Sequence, residues 1–94
     1  MTDVIVKELN MKNNNNYFSR SHTLTSSASQ ILALNQNRVS LIVFNTGANP
    51  AVFNIGTGDI TLAAGDHVAF LDRPPINAIN ASSVSGTTLV SWEA

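Results

Sequence analysis

Between Arg20 and Asp59 the chain carries a single ionic side chain, Arg38, and its apolar residues fall into short runs broken by Asn, Gly, Ser, Thr and Pro. Runs of that length, bounded by turn formers, read as short strands. A helix over 27–34 is conceivable, but that stretch is short and rich in Ser. The spacing predicts strands over 17–24, 30–34, 38–45, 51–55, 60–62, 67–71, 76–81 and 87–92. Their repeat of roughly ten residues suits a small antiparallel sandwich or barrel, jelly-roll-like or immunoglobulin-like, with seven to eight short strands. The chain reads as all-β.

The strand over 38–45 says most about packing. Val39, Leu41 and Val43 point one way, and Ser40, Ile42 and Phe44 the other. Both faces are therefore apolar, and a half-exposed strand would not tolerate that. One face meets the sandwich core; the other meets loops of the same chain or a neighbouring subunit. Ile42 and Phe44 are accordingly expected at a subunit or capsid contact, with Val39, Leu41 and Val43 as the alternative set. The turn over 46–50 is expected to make a hairpin of the third and fourth strands. Ala63-Ala64-Gly65-Asp66 has the Gly placement of a bulged hairpin turn, and 82–86 joins the last two strands.

Residues 1–16 read as a separate arm, with 17–94 as the single folded domain. The arm ends in Asn13-Asn14-Asn15-Asn16, which favours solvated coil. Its apolar patch Val4, Ile5 and Val6 could add a strand to a partner's sheet edge. A plain tail is the other reading.

Ninety-four residues with no cysteine have one thin core and no disulfides to reinforce it. Oligomerisation is the remaining common source of burial. Charged residues are only 12% of the chain and the net charge is −1. Five scattered Lys and Arg cannot neutralise a phosphate backbone, so nucleic acid is not an expected partner. No apolar run approaches a membrane span, and no secretory signal is visible. Synthesis in the cytoplasm is the expectation.

Catalytic constellations do not assemble. His22 and His67 would need Asp59 or Asp66 to hold a metal, yet no ligand spacing links them. Two turn aspartates more often cap local backbone. No Ser lies on a nucleophile elbow, and Gly56-Thr57-Gly58 lacks the Lys and the helix of a phosphate loop. The two glutamates, Glu8 and Glu93, lie near opposite ends of the chain. The protein is not expected to be an enzyme or to take a cofactor. Among the aromatics, Tyr17, Phe18 and Trp92 are the ones available for a sugar platform. Arg38 is expected to pair with a carboxylate such as Asp66 or Glu93, or else to contact a partner.

Residues from Gln30 onward carry a resemblance. The segments Gln30-Ile31-Leu32-Ala33, Asn35-Gln36-Asn37-Arg38 and Ser40-Leu41-Ile42-Val43 lead into Asn45-Thr46-Gly47-Ala48-Asn49-Pro50. Leu62-Ala63-Ala64-Gly65, Ala78-Ile79-Asn80-Ala81 and Ser85-Gly86-Thr87-Thr88 follow. In this order and spacing the chain resembles small all-β structural proteins of tailed double-stranded DNA bacteriophages. The resemblance implies a virion protein, foremost a capsid decoration or cement protein that binds the outside of the major capsid protein lattice and stabilises the head. A homotrimer is the expected state. A glycan- or host-binding module of a head fibre or tail is the alternative. The pattern carries no catalytic residues, and the arm lies outside it.

Overall fold

The computed structural model describes residues 17–94. Eight strands follow one another along the chain: β1 (Phe18–Leu24), β2 (Ser29–Leu32), β3 (Leu41–Asn45), β4 (Ala51–Asn54), β5 (Asp59–Leu62), β6 (His67–Phe70), β7 (Ile79–Ser82) and β8 (Thr87–Glu93). The expected arm, with Val4, Ile5 and Val6, lies outside the described residues.

One tight hairpin organises the rest. β4 and β5 pair directly around Ile55-Gly56-Thr57-Gly58, where the Ile55 amide donates to the Gly58 carbonyl at 3.0 Å and Gly56 takes φ 96°. A residue with a Cβ pays for that left-handed backbone, and Gly does not. Outward from this turn the chain pairs with itself as one long antiparallel ribbon: β3 with β6, β2 with β7, β1 with β8. The ribbon then rolls up, so that β3 also pairs with β8 and β4 with β7. Two four-stranded sheets result, ordered β1-β8-β3-β6 and β2-β7-β4-β5. That is a double-sheet jelly roll.

The immunoglobulin alternative is set aside by this strand order, and so are the two hairpins expected at 46–50 and 63–66. The turns at 46–50, 63–66 and 82–86 do not return the chain to its own sheet. Each carries it across to the facing sheet, because β3, β6 and β8 lie in the first sheet and β4, β5 and β7 in the second. Local turn chemistry is the same for both outcomes. The rolled ribbon decides which occurs, since it gives β3 and β4 different partners.

The core lies between the sheets. Leu24, Leu41, Val43 and Leu89 from the first meet Leu32, Ala51, Phe53, Leu62, Ile79 and Ala81 from the second, with Val68 and Phe70 packed alongside. Alternation is clean in β4, where Ala51 and Phe53 are buried while Val52 and Asn54 are exposed. Burying side chains of this size contributes roughly 1.5–3 kcal/mol each.

β3 is buried at every position. It sits inside its sheet, flanked by β8 and β6, so its outward residues have neighbours on both sides. Ile42 lies in register with Trp92 and Ala69, and Phe44 with Val90 and His67. Ile42 and Phe44 form a second small cluster with Tyr17, Leu71 and Trp92. The Phe44 ring stacks on His67 at 5.0 Å and meets Trp92 edge-on at 4.9 Å. The chain covers the outer face of β3 by itself.

Candidate docking end

Strand direction sorts the connections into two ends. The turns at 25–28, 46–50, 63–66 and 83–86 share one end, which is closed by short crossings. At the other end lie the longer loops 33–40 and 71–78, the hairpin turn 55–58, the start of β1 and the end of β8.

Asn45 holds the closed end. Its side-chain amide donates to the Asn49 carbonyl at 2.8 Å and the Leu62 carbonyl at 3.0 Å. Its oxygen accepts from the Gly47 amide at 3.1 Å and the Thr87 hydroxyl at 2.8 Å. In the main chain, Asn45 N–H donates to Asp66 and Gly65 N–H donates back to Asn45. One buried side chain thus ties three of the four turns, and every hydrogen-bonding site it has is used. Gly47 is required beside it, since a Cβ there would strike Thr87 and stand 2.7 Å from the Thr88 nitrogen.

Arg38 holds the open end. It is buried, and its Nε donates to Glu93 Oε2 at 2.6 Å. Nη1 donates to the carbonyls of Pro75 and Asn77, and Nη2 to that of Ala33 at 2.9 Å. Asn35 adds a second donor to Glu93 Oε2 at 3.2 Å. Of the partners expected for Arg38, Glu93 is the one it takes; Asp66 lies at the opposite end. A desolvated guanidinium is tolerable here because a carboxylate and three carbonyls receive it.

Around this polar hub the surface turns apolar. Among the described residues, Phe18, Leu34, Val39 and Ile76 are large apolar side chains left exposed at the open end, at 67%, 59%, 55% and 42%. The closed end leaves one such residue exposed, Val84 at 93%. Beside the rim a cleft of about 340 Å³ opens between the β4–β5 turn and the loop after β6. Ile55, Phe70, Pro74, Pro75 and Ile76 wall it, and Thr57, Arg73 and Asn77 supply its polar groups. Asn77 Nδ2 donates to the Ile55 carbonyl at 3.4 Å, joining the two sides. Arg73 makes no ion pair among the described residues.

The residues expected at a contact are placed differently by the fold. Ile42 and Phe44 are 0% and 4% exposed, covered by Tyr17, Leu71, Trp92 and His67. They are core residues of the second cluster and offer nothing to a partner in the folded chain. Leu41 and Val43 belong to the main core, while Val39 precedes the strand and is open. Sequence reasoning passed over Leu34 and Ile76 as strand residues, and over Arg73 as part of a stiff connection. The overlooked signal was an apolar residue set among turn formers, as in Ala33-Leu34-Asn35 and Ser83-Val84-Ser85.

The histidines do not meet. His22 Nε2 lies 3.0 Å from Ser91 Oγ, and burial, with a smaller contribution from Arg20, pushes its pKa below the usual histidine value. His67 stacks on Phe44. Asp59 accepts from the Asn54 amide at 2.8 Å, a local turn contact. Among the described residues no three His, Asp or Glu gather as metal ligands. Of the aromatics, Phe18 stands exposed, while Tyr17 and Trp92 are half-buried over β3.

No protein-family model and no curated protein matches this sequence. Three solved structures share the fold. Protein NMB1881 from Neisseria meningitidis superposes with a TM-score of 0.57 at 13% identity, over 86% of this chain and 76% of that one. A chain of the Bacillus endospore appendages, described as disulfide-linked pili, gives 0.55 at 15% identity over 83% of each. A de novo designed double-stranded β-helix gives 0.51 at 15% identity, over 81% and 95%. Identities this low speak to the fold alone, and the disulfide linkage in the pilus description has no counterpart in a sequence without cysteine.

Proposed function

We propose that this protein is a virion structural subunit: a decoration or cement protein that seats on the outside of the major capsid protein lattice of a tailed phage and stabilises the head. The observation that carries the reading is the open end, where Phe18, Leu34, Val39 and Ile76 stay exposed around a rigid, internally satisfied Arg38–Glu93 hub. Apolar side chains gathered at one end of a charge-poor domain favour burial against a partner. The hub keeps the two loops that present Leu34, Val39 and Ile76 in fixed positions, so little ordering entropy is lost on docking. β1 also starts at this end. A homotrimer on the lattice fits the thin core and the low charge.

The cleft beside the rim favours a second reading, a glycan- or host-binding module of a head fibre or tail. Its apolar wall and the Arg73, Thr57 and Asn77 donors are the kind of lining that orients a small polar ligand. Copy number separates the two. Densitometry of purified particles should show the protein at a level comparable to the major capsid protein if it coats the head. A few copies per particle would overturn the cement reading in favour of the fibre or tail one.

A further inference from the structure

The two ends of the sandwich are complementary to each other. Among the described residues, Val84 on the β7–β8 turn is the one large apolar side chain exposed at the closed end, and Asp66 is the only formal charge on that end's turns. Both turns are anchored to the same Asn45 hub, Asp66 through its carbonyl and the β7–β8 turn through Thr87. The open end carries the inverse: an apolar cleft walled by Ile55, Phe70 and Ile76, with Arg73, which makes no ion pair among the described residues, at its margin. Asp72 precedes Arg73 but does not line the cleft.

We propose that the cleft at the open end receives the closed end of a second copy of this chain, Val84 entering between Ile55, Phe70 and Ile76 while Asp66 pairs with Arg73. A projecting apolar side chain that fits a recess elsewhere on the same molecule makes a head-to-tail contact. Such contacts close into a ring when the rotation permits and otherwise run as an open row. The expected trimer is a ring of this kind, since a three-fold assembly cannot use a face that pairs with itself. The proposal goes beyond the capsid reading and does not depend on it, because the contact forms between copies with no lattice present.

Sedimentation velocity of the full chain, from micromolar to millimolar concentration, tests it. The wild-type protein should form a discrete ring or a concentration-dependent series. Raising salt should weaken either form, because the ion pair is exposed to screening. Val84→Asp and Arg73→Glu should each lower the association constant by about tenfold or more, with melting temperatures unchanged, since both side chains are at the surface. Asp66→Arg should do the same. Mixing Arg73→Glu protein with Asp66→Arg protein should restore association, because both contacts between unlike copies then join opposite charges, and the two proteins should alternate in even-numbered rings or open rows longer than a dimer. A face that pairs with itself would stop at dimers in the same mixture, and that result would also overturn the proposal. A strict monomer throughout, or association unmoved by Val84→Asp and Arg73→Glu, overturns the proposal. Copy number on particles is an independent readout, so the capsid reading and this contact can fail separately.

Discussion

At the closed end the amide of Asn45 meets four partners, and at the open end the guanidinium of Arg38 also meets four. The hubs do the same mechanical work, because each gathers loops that are distant in sequence. They differ in charge and in what surrounds them. Asn45 is neutral, and its turns are short, glycine-bearing and polar. Arg38 brings a buried charge with its own counter-ion, and its loops expose Leu34, Val39 and Ile76. A neutral hub suffices where the chain only needs to cross between sheets. A charged hub reaches farther, with five N–H donors in a rigid fork, and can stiffen long loops that have no ladder of their own. Stiff loops with apolar tips suit a partner, whereas the tight turns are polar except at Val84.

The largest expected loss comes from Arg38→Ala. It strands Glu93 and leaves the carbonyls of Ala33, Pro75 and Asn77 without a donor, so the open end should lose about 3–5 kcal/mol. Urea unfolding gives the value. Hydrogen exchange should show loops 33–40 and 71–78 opening while the turns around Asn45 stay protected. Equal deprotection at both ends would break the distinction between the hubs.

Asn45→Ala is the matching test at the closed end. It removes two donors from buried carbonyls and the acceptor for Gly47 and Thr87, at about 2–3 kcal/mol. Here the exchange pattern should invert, with 46–50 and 63–66 loosened and the Arg38 loops intact. A loss as large as that for Arg38→Ala would mean that the charge adds nothing.

Much of this contrast was legible beforehand, and the part that was not has a physical reason. All eight strands were readable, because alternation and turn residues are local signals. The Arg38–Glu93 pair was anticipated as one of two options, since a lone charge in an apolar stretch must find a counter-ion. The two-faced burial of β3 was also evident, but not what covers it. Its cover comes from Tyr17, Leu71 and Trp92, residues brought over β3 by β1 and β8 pairing and by the end of β6. The sheet crossings at 46–50 and 63–66 read as hairpins in the sequence, because turn chemistry does not encode which sheet the next strand joins. The cleft was invisible for the same reason: Ile55 and Phe70 become neighbours only once the ribbon has rolled.

Two glycines of the closed end sharpen the account of why its turns are tight. Gly47→Ala puts a methyl against Thr87 and the backbone of Thr88, so overpacking should cost about 1–3 kcal/mol. Gly65 has φ 83° with open space around its missing Cβ. Gly65→Ala therefore meets only backbone strain, about 1 kcal/mol. Thermal melts of the two variants should rank in that order. A reversal would mean that the Asn45 turns yield easily, contrary to a closed end locked by packing.

The smallest effect expected belongs to neither hub. His22 lies on β1 in register with Leu89, one strand away from Asn45. Burial first and Arg20 second hold its pKa below the unfolded value of 6.5. Above that value the ring is neutral whether the chain is folded or not, and His22 adds no slope to stability. As pH falls below 6.5 the unfolded chain takes up the proton more readily, so stability declines until the folded ring is protonated as well. The ring is only partly buried and solvent screens Arg20, so the decline should be shallow. Urea midpoints at pH 7.5 and pH 5 should differ less for His22→Gln than for the wild type, by the His22 contribution alone. An unchanged pH difference in His22→Gln would show that His22 contributes nothing to the acid sensitivity.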